Sequence, residues 1–405
     1  MDPLPAEPAG PAITTDEEAL LSVRPSLRWD IFCRVVDNYG DGGVCWRLAR
    51  QLAHEHGLAV TLWIDDVATL ARIEPALDPE SDDQLAREVR VRRWSDARPA
   101  PYLDPNVVIE AFGCGLPDAY RDNMAAGPHP PVWLNLEYLS AEAWVESAHT
   151  LPSPHPHLPL TCFFYFPGFT AGTGGLLRED GLPAAREAFQ HDAHAREGLW
   201  RSIGVAPAAT ALTVSLFCYA NKALPALLDL WADGDEEIVC IAPEGVAQAE
   251  LDRWTAGAVP HPGKPTVRGN LTFAVAPFVD QEAFDRRLWA CDVNFVRGED
   301  SLVRALWAAK PLVWHIYPQA ENVHLLKLDA LLMRFDAGLA VSAIGARREF
   351  WQAWNSGHPD ATAAAWPSFR AALPALNAQA PVRAAALARQ ADLAQGLVTF
   401  CENRL

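Results

Sequence analysis

Trp29-Asp30-Ile31-Phe32-Cys33-Arg34-Val35-Val36-Asp37-Asn38-Tyr39-Gly40-Asp41-Gly42-Gly43 is the stretch from which the fold can be read. Its first eight residues are largely apolar or β-branched and predict a strand over 29–36. From Gly43 the spacing changes: Val44, Leu48 and Leu52 recur at helical intervals, which predicts a helix over 43–56 before a second strand at 59–64. Strand, polar loop, helix and strand form a βαβ unit, and such units build parallel sheets covered by helices.

The alternation continues outward from this unit. Strands are expected at 89–94, 107–110 and 132–136, with the turn Phe112-Gly113-Cys114-Gly115 after the 107–110 run. Over 152–175 the composition shifts to proline, aromatic residues and glycine, and a polar helical stretch follows to about residue 202. A second series of strands begins at 212–217 and continues at 237–242, 271–276, 293–296 and 312–316. The alanine-rich end, 381–405, is expected to be helical and to reach back over the first half. The expected division is a mobile tail at 1–27, a Rossmann-like domain at 28–203, a second at 204–380, and the terminal helix. Two doubly wound domains facing each other across a cleft are the GT-B architecture, in which ligands lie beyond the carboxyl ends of the strands.

Composition narrows the function. At 405 residues, half hydrophobic and 21% charged, the chain is long enough for two cores. Its net charge of −18 repels phosphate backbones and anionic lipid heads, so nucleic acid and membrane surfaces are poor partners. The same charge attracts a cationic side chain, although acidity is also a common route to solubility. Eight widely spaced cysteines without a C-x-x-C pair predict free thiols in a reducing compartment. The first residues lack the basic start and apolar core of a secretory signal, and no apolar run is long enough to span a membrane. A cytoplasmic enzyme is expected.

Two loops carry the chemistry. In the first, Asp37 to Gly43, two carboxylates and a glycine run lie where a ligand would meet a helix N-terminus; capping and turn formation are the plainer use of the same residues. In the second, Arg297-Gly298-Glu299-Asp300-Ser301 follows the 293–296 strand and opens a helix expected at 302–309. An arginine, free helix-start amides and a serine hydroxyl suit a diphosphate, and Glu299 suits a hydroxyl or charge balance at the reacting centre. Here too an ordinary helix cap is the plainer alternative. Both halves thus carry a polar, glycine-containing loop at the same topological position. Phe217, Tyr219, Phe278, Gln281 and Tyr317 also sit at strand ends, and such rings and an amide suit a pyrimidine base. Gly172-Thr173-Gly174-Gly175 lacks the Lys-Ser/Thr of a P-loop, and Phe112-Gly113-Cys114-Gly115 fails the dinucleotide fingerprint. His191 and His194 read as a solvated helix face and His155 and His157 as loop, so no metal site is expected.

The run from Ile31 to Asp41, the stretch 163–175 with Thr173-Gly174-Gly175-Leu176, and Arg297 to Ser301 resemble the signature segments of the EarP family, the arginine rhamnosyltransferases of elongation factor P. The resemblance runs from about Trp29 to the C-terminus; the tail before it has no counterpart in the pattern. It implies an inverting transfer of L-rhamnose from dTDP-β-L-rhamnose to an arginine of elongation factor P, which supports translation of polyproline stretches. No cofactor is implied beyond the donor. By the same resemblance Asp41 is the general base, Asp37 a second essential acid and Glu299 the other catalytic carboxylate. Asn38, Tyr39 and Gly40 belong to the same binding loop. Tyr219, Gln281 and the segment Arg297, Gly298, Glu299, Asp300 and Ser301 are implied to hold the donor, with Phe217, Phe278 and Tyr317 enclosing thymine or sugar. Two alternatives stay open at this point: a GT-B transferase using another nucleotide sugar or a small-molecule acceptor, and a non-enzymatic scaffold retaining a nucleotide cleft.

Overall fold

Backbone donors decide where the first strand stops. β1 (Arg28–Cys33) ends three residues earlier than its apolar run, because the Val35 N–H turns to the Asp65 carboxylate at 2.9 Å and the Val36 N–H to Asp41 at 2.9 Å. The structure, a computed structural model, describes residues 27–36, 39–95, 100–257, 261–319, 321 and 323–405. The tail expected at 1–27, apart from residue 27, and the site residues Asp37 and Asn38 lie outside the described residues. Helix α1 (Gly40–His56) starts three residues earlier than its apolar spacing predicts, so Asp41, Gly42 and Gly43 form a buried first turn.

The first sheet continues through β2 (Ala59–Ile64), β3 (Asp83–Ala86), β4 (Val89–Arg93), β5 (Val107–Ala111), β6 (Val132–Leu136), β7 (Pro152–Pro154) and β8 (Thr161–Tyr165). Its order is β3-β4-β2-β1-β5-β6-β8-β7, parallel except for the antiparallel edge strands β3 and β7. The 152–175 segment therefore completes this sheet. Pro152 and Pro154 fit there because an edge strand needs ladder hydrogen bonds on one side only. Helices α2 (Val67–Ile73), α3 (Asp118–Ala126) and α4 (Trp144–Ala148) lie in its connections, and α5 (Leu182–His191) and α6 (Ala193–Ile203) lead to the second sheet.

That sheet comprises β9 (Leu212–Leu216), β10 (Ile238–Pro243), β11 (Thr266–Arg268), β12 (Leu271–Ala276), β13 (Val293–Arg297) and β14 (Leu312–His315), ordered β11-β12-β10-β9-β13-β14 with only β11 antiparallel. Between and after its strands come α7 (Leu224–Asp233), α8 (Gln248–Trp254), α9 (Gln281–Ala290), α10 (Asp300–Trp307), α11 (Val323–Phe335), α12 (Val341–Ser356), α13 (Pro359–Ala388) and α14 (Leu393–Glu402). Each sheet is doubly wound, and the pair forms a GT-B fold.

Strand alternation explains the cores. On β1, Ile31 and Cys33 face α1 and α14, with Trp46, Leu48, Leu52, Leu393 and Leu397 in one cluster, whereas Phe32 joins Trp63, Trp94 and Tyr120 on the opposite face. Each fully buried side chain of this size contributes roughly 1.5–3 kcal/mol. In the second half a larger cluster packs β9 and β13 against α7, α12 and α13. The terminal segment 381–405 is not one helix. α13 runs through Pro367, Pro374 and Pro381, stops at Ala388, and is followed by α14, whose N-cap Asp392 accepts the Gln395 N–H at 3.0 Å.

The glycine run 172–175 marks where the returning chain crosses. A Cβ on Gly174 would lie 2.3 Å from the Tyr165 ring, and one on Gly175, which has φ +77°, would lie 2.3 Å from the Ala391 carbonyl. Among the described residues no helix is long and apolar enough to cross a membrane. The cysteines are free thiols, all buried except the half-buried Cys114.

Candidate active site

Both polar loops leave carboxyl ends of strands beside the point where strand order reverses, but they are not topological equivalents. The first follows β1, the first strand of its sheet, whereas the second follows β13, which pairs with β9 on the side away from β10. Across the cleft the two loops line adjoining pockets that share Gly40, Gly298, Glu299 and Asp300.

One pocket is acidic, with Asp41, Glu299 and Asp300 in its wall against Lys327. Asp41, only 3% exposed, projects from the first turn of α1 and accepts the Val36 N–H at 2.9 Å through Oδ2. Its Oδ1 lies 3.4 Å from the Tyr138 hydroxyl. Opposite, Gly298 has φ +61°, a left-handed turn that glycine adopts without steric cost, and it brings Glu299 to the head of α10. Glu299 Oε2 accepts the Leu139 N–H at 2.7 Å. Consecutive residues, Tyr138 and Leu139, therefore touch the two acids from opposite halves of the molecule. Tyr219 and Tyr317 line this pocket, with their rings edge to face at 5.3 Å.

The other pocket is aromatic and carries the guanidiniums of Arg47, Arg287 and Arg297 beside Asp280 and the shared Glu299 and Asp300. The Arg297 guanidinium lies 4.4 Å from the Phe217 ring and 4.8 Å from the Tyr219 ring, and one N–H donates to the Cys218 carbonyl at 3.1 Å. Phe278 is held between the Tyr39 ring at 4.9 Å and the Arg72 guanidinium at 4.8 Å, so the first half closes over this pocket. Gln281 donates from Nε2 to the Gly43 carbonyl at 3.1 Å, while its Oε1 is a buried acceptor without a hydrogen-bond partner. Ser301 uses its hydroxyl locally, donating to the Arg297 carbonyl and accepting the Arg297 N–H at 3.1 Å.

Asp300 takes part in an ion network behind both pockets. Its Oδ1 is 3.1 Å from Arg47 Nε, and Arg47 and Arg304 share Asp285 and Glu179. Arg304 grips Asp285 with two hydrogen bonds, at 3.0 and 2.6 Å. Burial pushes the Asp300 carboxyl above its ordinary value against the pull of Arg47 and Arg304. Burial also opposes ionisation of Glu179, yet the two guanidiniums hold its carboxyl well below the usual range. The network ties α1, the loop before α5, α9 and α10 together, and so fixes how the halves meet.

Several site residues lay outside the motifs. Phe284 and Arg287 follow Gln281 at helical spacing on α9 and line the aromatic pocket; burial lowers Arg287 to about 10, so it stays charged at neutral pH. Tyr138 follows the carboxyl end of β6, where the strand-end rule would have found it. Beneath Tyr219, His315 is buried, and that burial, with Arg297 and His324 adding to it, pushes its pKa down to about 3.

Known proteins match most of the chain. The family model described as "Elongation-Factor P (EF-P) rhamnosyltransferase EarP" matches residues 29–402. A protein-arginine rhamnosyltransferase of Pseudomonas putida is 48% identical over 93% of this chain and 99% of its own length. That of Pseudomonas aeruginosa is 47% identical over 92% and 98%. A solved structure reporting the basis for EarP-mediated arginine glycosylation of elongation factor EF-P shares 37% identity and a TM-score of 0.67, covering 93% of this chain and 99% of that one. Acinetobacter baumannii MurG, at 12% identity and a TM-score of 0.52 over 94% of this chain and 100% of its own, shares the fold. The chain belongs to the EarP family of elongation factor P rhamnosyltransferases and is a GT-B glycosyltransferase.

Proposed function

We propose that this chain transfers L-rhamnose, with inversion, from dTDP-β-L-rhamnose to an arginine side chain of elongation factor P in the cytoplasm, and so supports translation of polyproline stretches. The observation that carries this reading is the joining of the two pockets, one bearing Asp41 and Glu299 and the other Arg297, along the shared edge Gly298-Glu299-Asp300. The chain's relatives named protein-arginine rhamnosyltransferase supply the substrate class.

The acidic pocket suits the acceptor. A guanidinium holds its protons on a delocalised cation with a pKa above about 12, which makes it a poor nucleophile. A carboxylate that hydrogen-bonds one edge localises charge on the attacking nitrogen and takes its proton as the new bond forms. Asp41 fills that role in this proposal, with Asp37 as a second acid and Glu299 balancing charge at the reacting centre. An ordinary carboxylate, with a reference pKa of about 4, cannot deprotonate arginine beforehand, so proton transfer comes late in the step.

The aromatic pocket suits the donor. Phe217, Phe278 and Gln281 line it together, the rings and amide that suit a pyrimidine. As the nitrogen attacks the anomeric carbon, the bond to the diphosphate breaks and its electron pair leaves with dTDP. Arg297 and the amides at the head of α10 would receive that charge. One displacement converts a β-linked donor to an α-rhamnosyl-arginine.

Mass spectrometry of elongation factor P after incubation with this protein and dTDP-β-L-rhamnose tests the proposal. One deoxyhexose on one arginine is expected. Unmodified factor, or sugar carried by another residue type, would contradict it.

A further inference from the structure

Phe112 and Tyr138 line the acidic pocket and have no part in the mechanism above. Phe112 has φ +58°, a left-handed conformation that costs a bulky L-residue on the order of 1–2 kcal/mol. Hydrogen bonds hold it there: its N–H reaches the Leu136 carbonyl at 2.7 Å, the Gly113 N–H reaches Asn135 Oδ1 at 3.1 Å, and the Gly115 N–H reaches Glu110 Oε1 at 2.8 Å. The consequence is a stacked pair, with the Phe112 and Tyr138 rings 4.5 Å apart and inclined by 15°. Tyr138 nevertheless remains 42% exposed, beside an aspartate that is 3% exposed. Backbone strain maintained by surrounding hydrogen bonds at a cleft is characteristic of a pre-organised binding surface.

A guanidinium differs from an ammonium in being planar, with a face that stacks on aromatic rings and edges that match carboxylates. A ring standing next to a carboxylate presents both complements together. We propose that Tyr138, backed by Phe112, is the platform on which the acceptor guanidinium lies while Asp41 engages its edge, and that this surface favours arginine over lysine. The inference rests on the arginine-acceptor reading of the same pocket.

Steady-state kinetics with elongation factor P as the varied substrate test it. Tyr138→Leu keeps apolar bulk and loses the π face; its KM for the acceptor should rise roughly 10-fold, the size of a partly desolvated cation–π contact, while calorimetric binding of dTDP-β-L-rhamnose stays within about twofold. Tyr138→Phe should recover most of that loss. Phe112→Leu removes the ring that backs Tyr138 while keeping apolar bulk against the core, so its acceptor KM should rise as well. An unmoved acceptor KM in Tyr138→Leu overturns the platform, as does a loss in Tyr138→Phe equal to that in Tyr138→Leu, which would assign the effect to the hydroxyl near Asp41. Wild-type protein that modifies no arginine would refute the proposed function itself, so the two failures are distinguishable.

Discussion

The loop after β1 and the loop after β13 are written in similar residues and use them differently. In the first, Asp41 is packed into a helical turn and steadied by the Val36 N–H, so a backbone donor prepares one carboxylate for the acidic pocket. In the second, half of the polar groups are committed to structure: Ser301 closes the turn on the Arg297 backbone and Asp300 reaches across the cleft to Arg47. Glu299, which accepts the Leu139 N–H, lines both pockets, and the Arg297 guanidinium, between two rings and bonded to the Cys218 carbonyl, lines the aromatic one. Residue type alone therefore does not assign roles in such loops, because neighbouring donors and acceptors decide where each side chain is held.

The sharpest way to break this contrast is Asp41→Asn. The isosteric amide keeps a hydrogen-bonding group for Val36 and removes the base, so transfer to elongation factor P should fall by about 10²–10⁴-fold while calorimetry still finds donor binding. Near-normal turnover would remove Asp41 from the mechanism. Next in size is Asp285→Ala, which takes the shared acceptor from Arg47 and Arg304 at a residue 3% exposed. Breaking a buried pair on one side costs about 3–5 kcal/mol, to be read from denaturant unfolding monitored by tryptophan fluorescence. A change under about 1 kcal/mol would mean that the network does not hold the halves together.

Arg297→Ala acts on the other side of the cleft and should weaken dTDP-sugar binding roughly 10- to 100-fold, the range for hydrogen bonds to a charged group. An unchanged Kd would place the diphosphate elsewhere. The smallest and most gradual effect concerns His315. Its folded pKa is depressed, so the unfolded chain takes up a proton first as pH falls. The stability contribution is complete above about 6.5 and declines progressively towards the folded value of about 3. A His315→Asn variant should flatten that limb of the stability–pH profile, and an identical slope in both proteins would contradict the assignment.

How much of this was legible follows from the same physics. The apolar central strands declared themselves, and 59–64, 132–136 and 271–276 coincide with β2, β6 and β12 because hydrophobic runs bounded by turns leave few other options. The antiparallel edge strands of the first sheet did not: β3 reads Asp-Gln-Leu-Ala and β7 Pro-Ser-Pro, and neither carries an apolar pattern. The expected start of a terminal helix at 381 fell inside α13, since prolines spaced seven apart read as boundaries yet fit within one long helix. In the site, strand-end position pointed to Asp41 and Glu299, and the same rule applied to β6 would have reached Tyr138. Arg47 and Asp285 were hidden because each sits in a helix and meets its partner across 238 residues of sequence.

The central claim is that one cleft holds the acceptor at its acidic side and the donor at its cationic side. A crystal structure of the protein with dTDP-β-L-rhamnose tests it most directly. The nucleotide should lie against Phe217 and Phe278 with its base edge at Gln281, its diphosphate at Arg297, and its anomeric carbon turned towards Asp41. A nucleotide bound against Asp41, or outside the cleft altogether, would contradict the account.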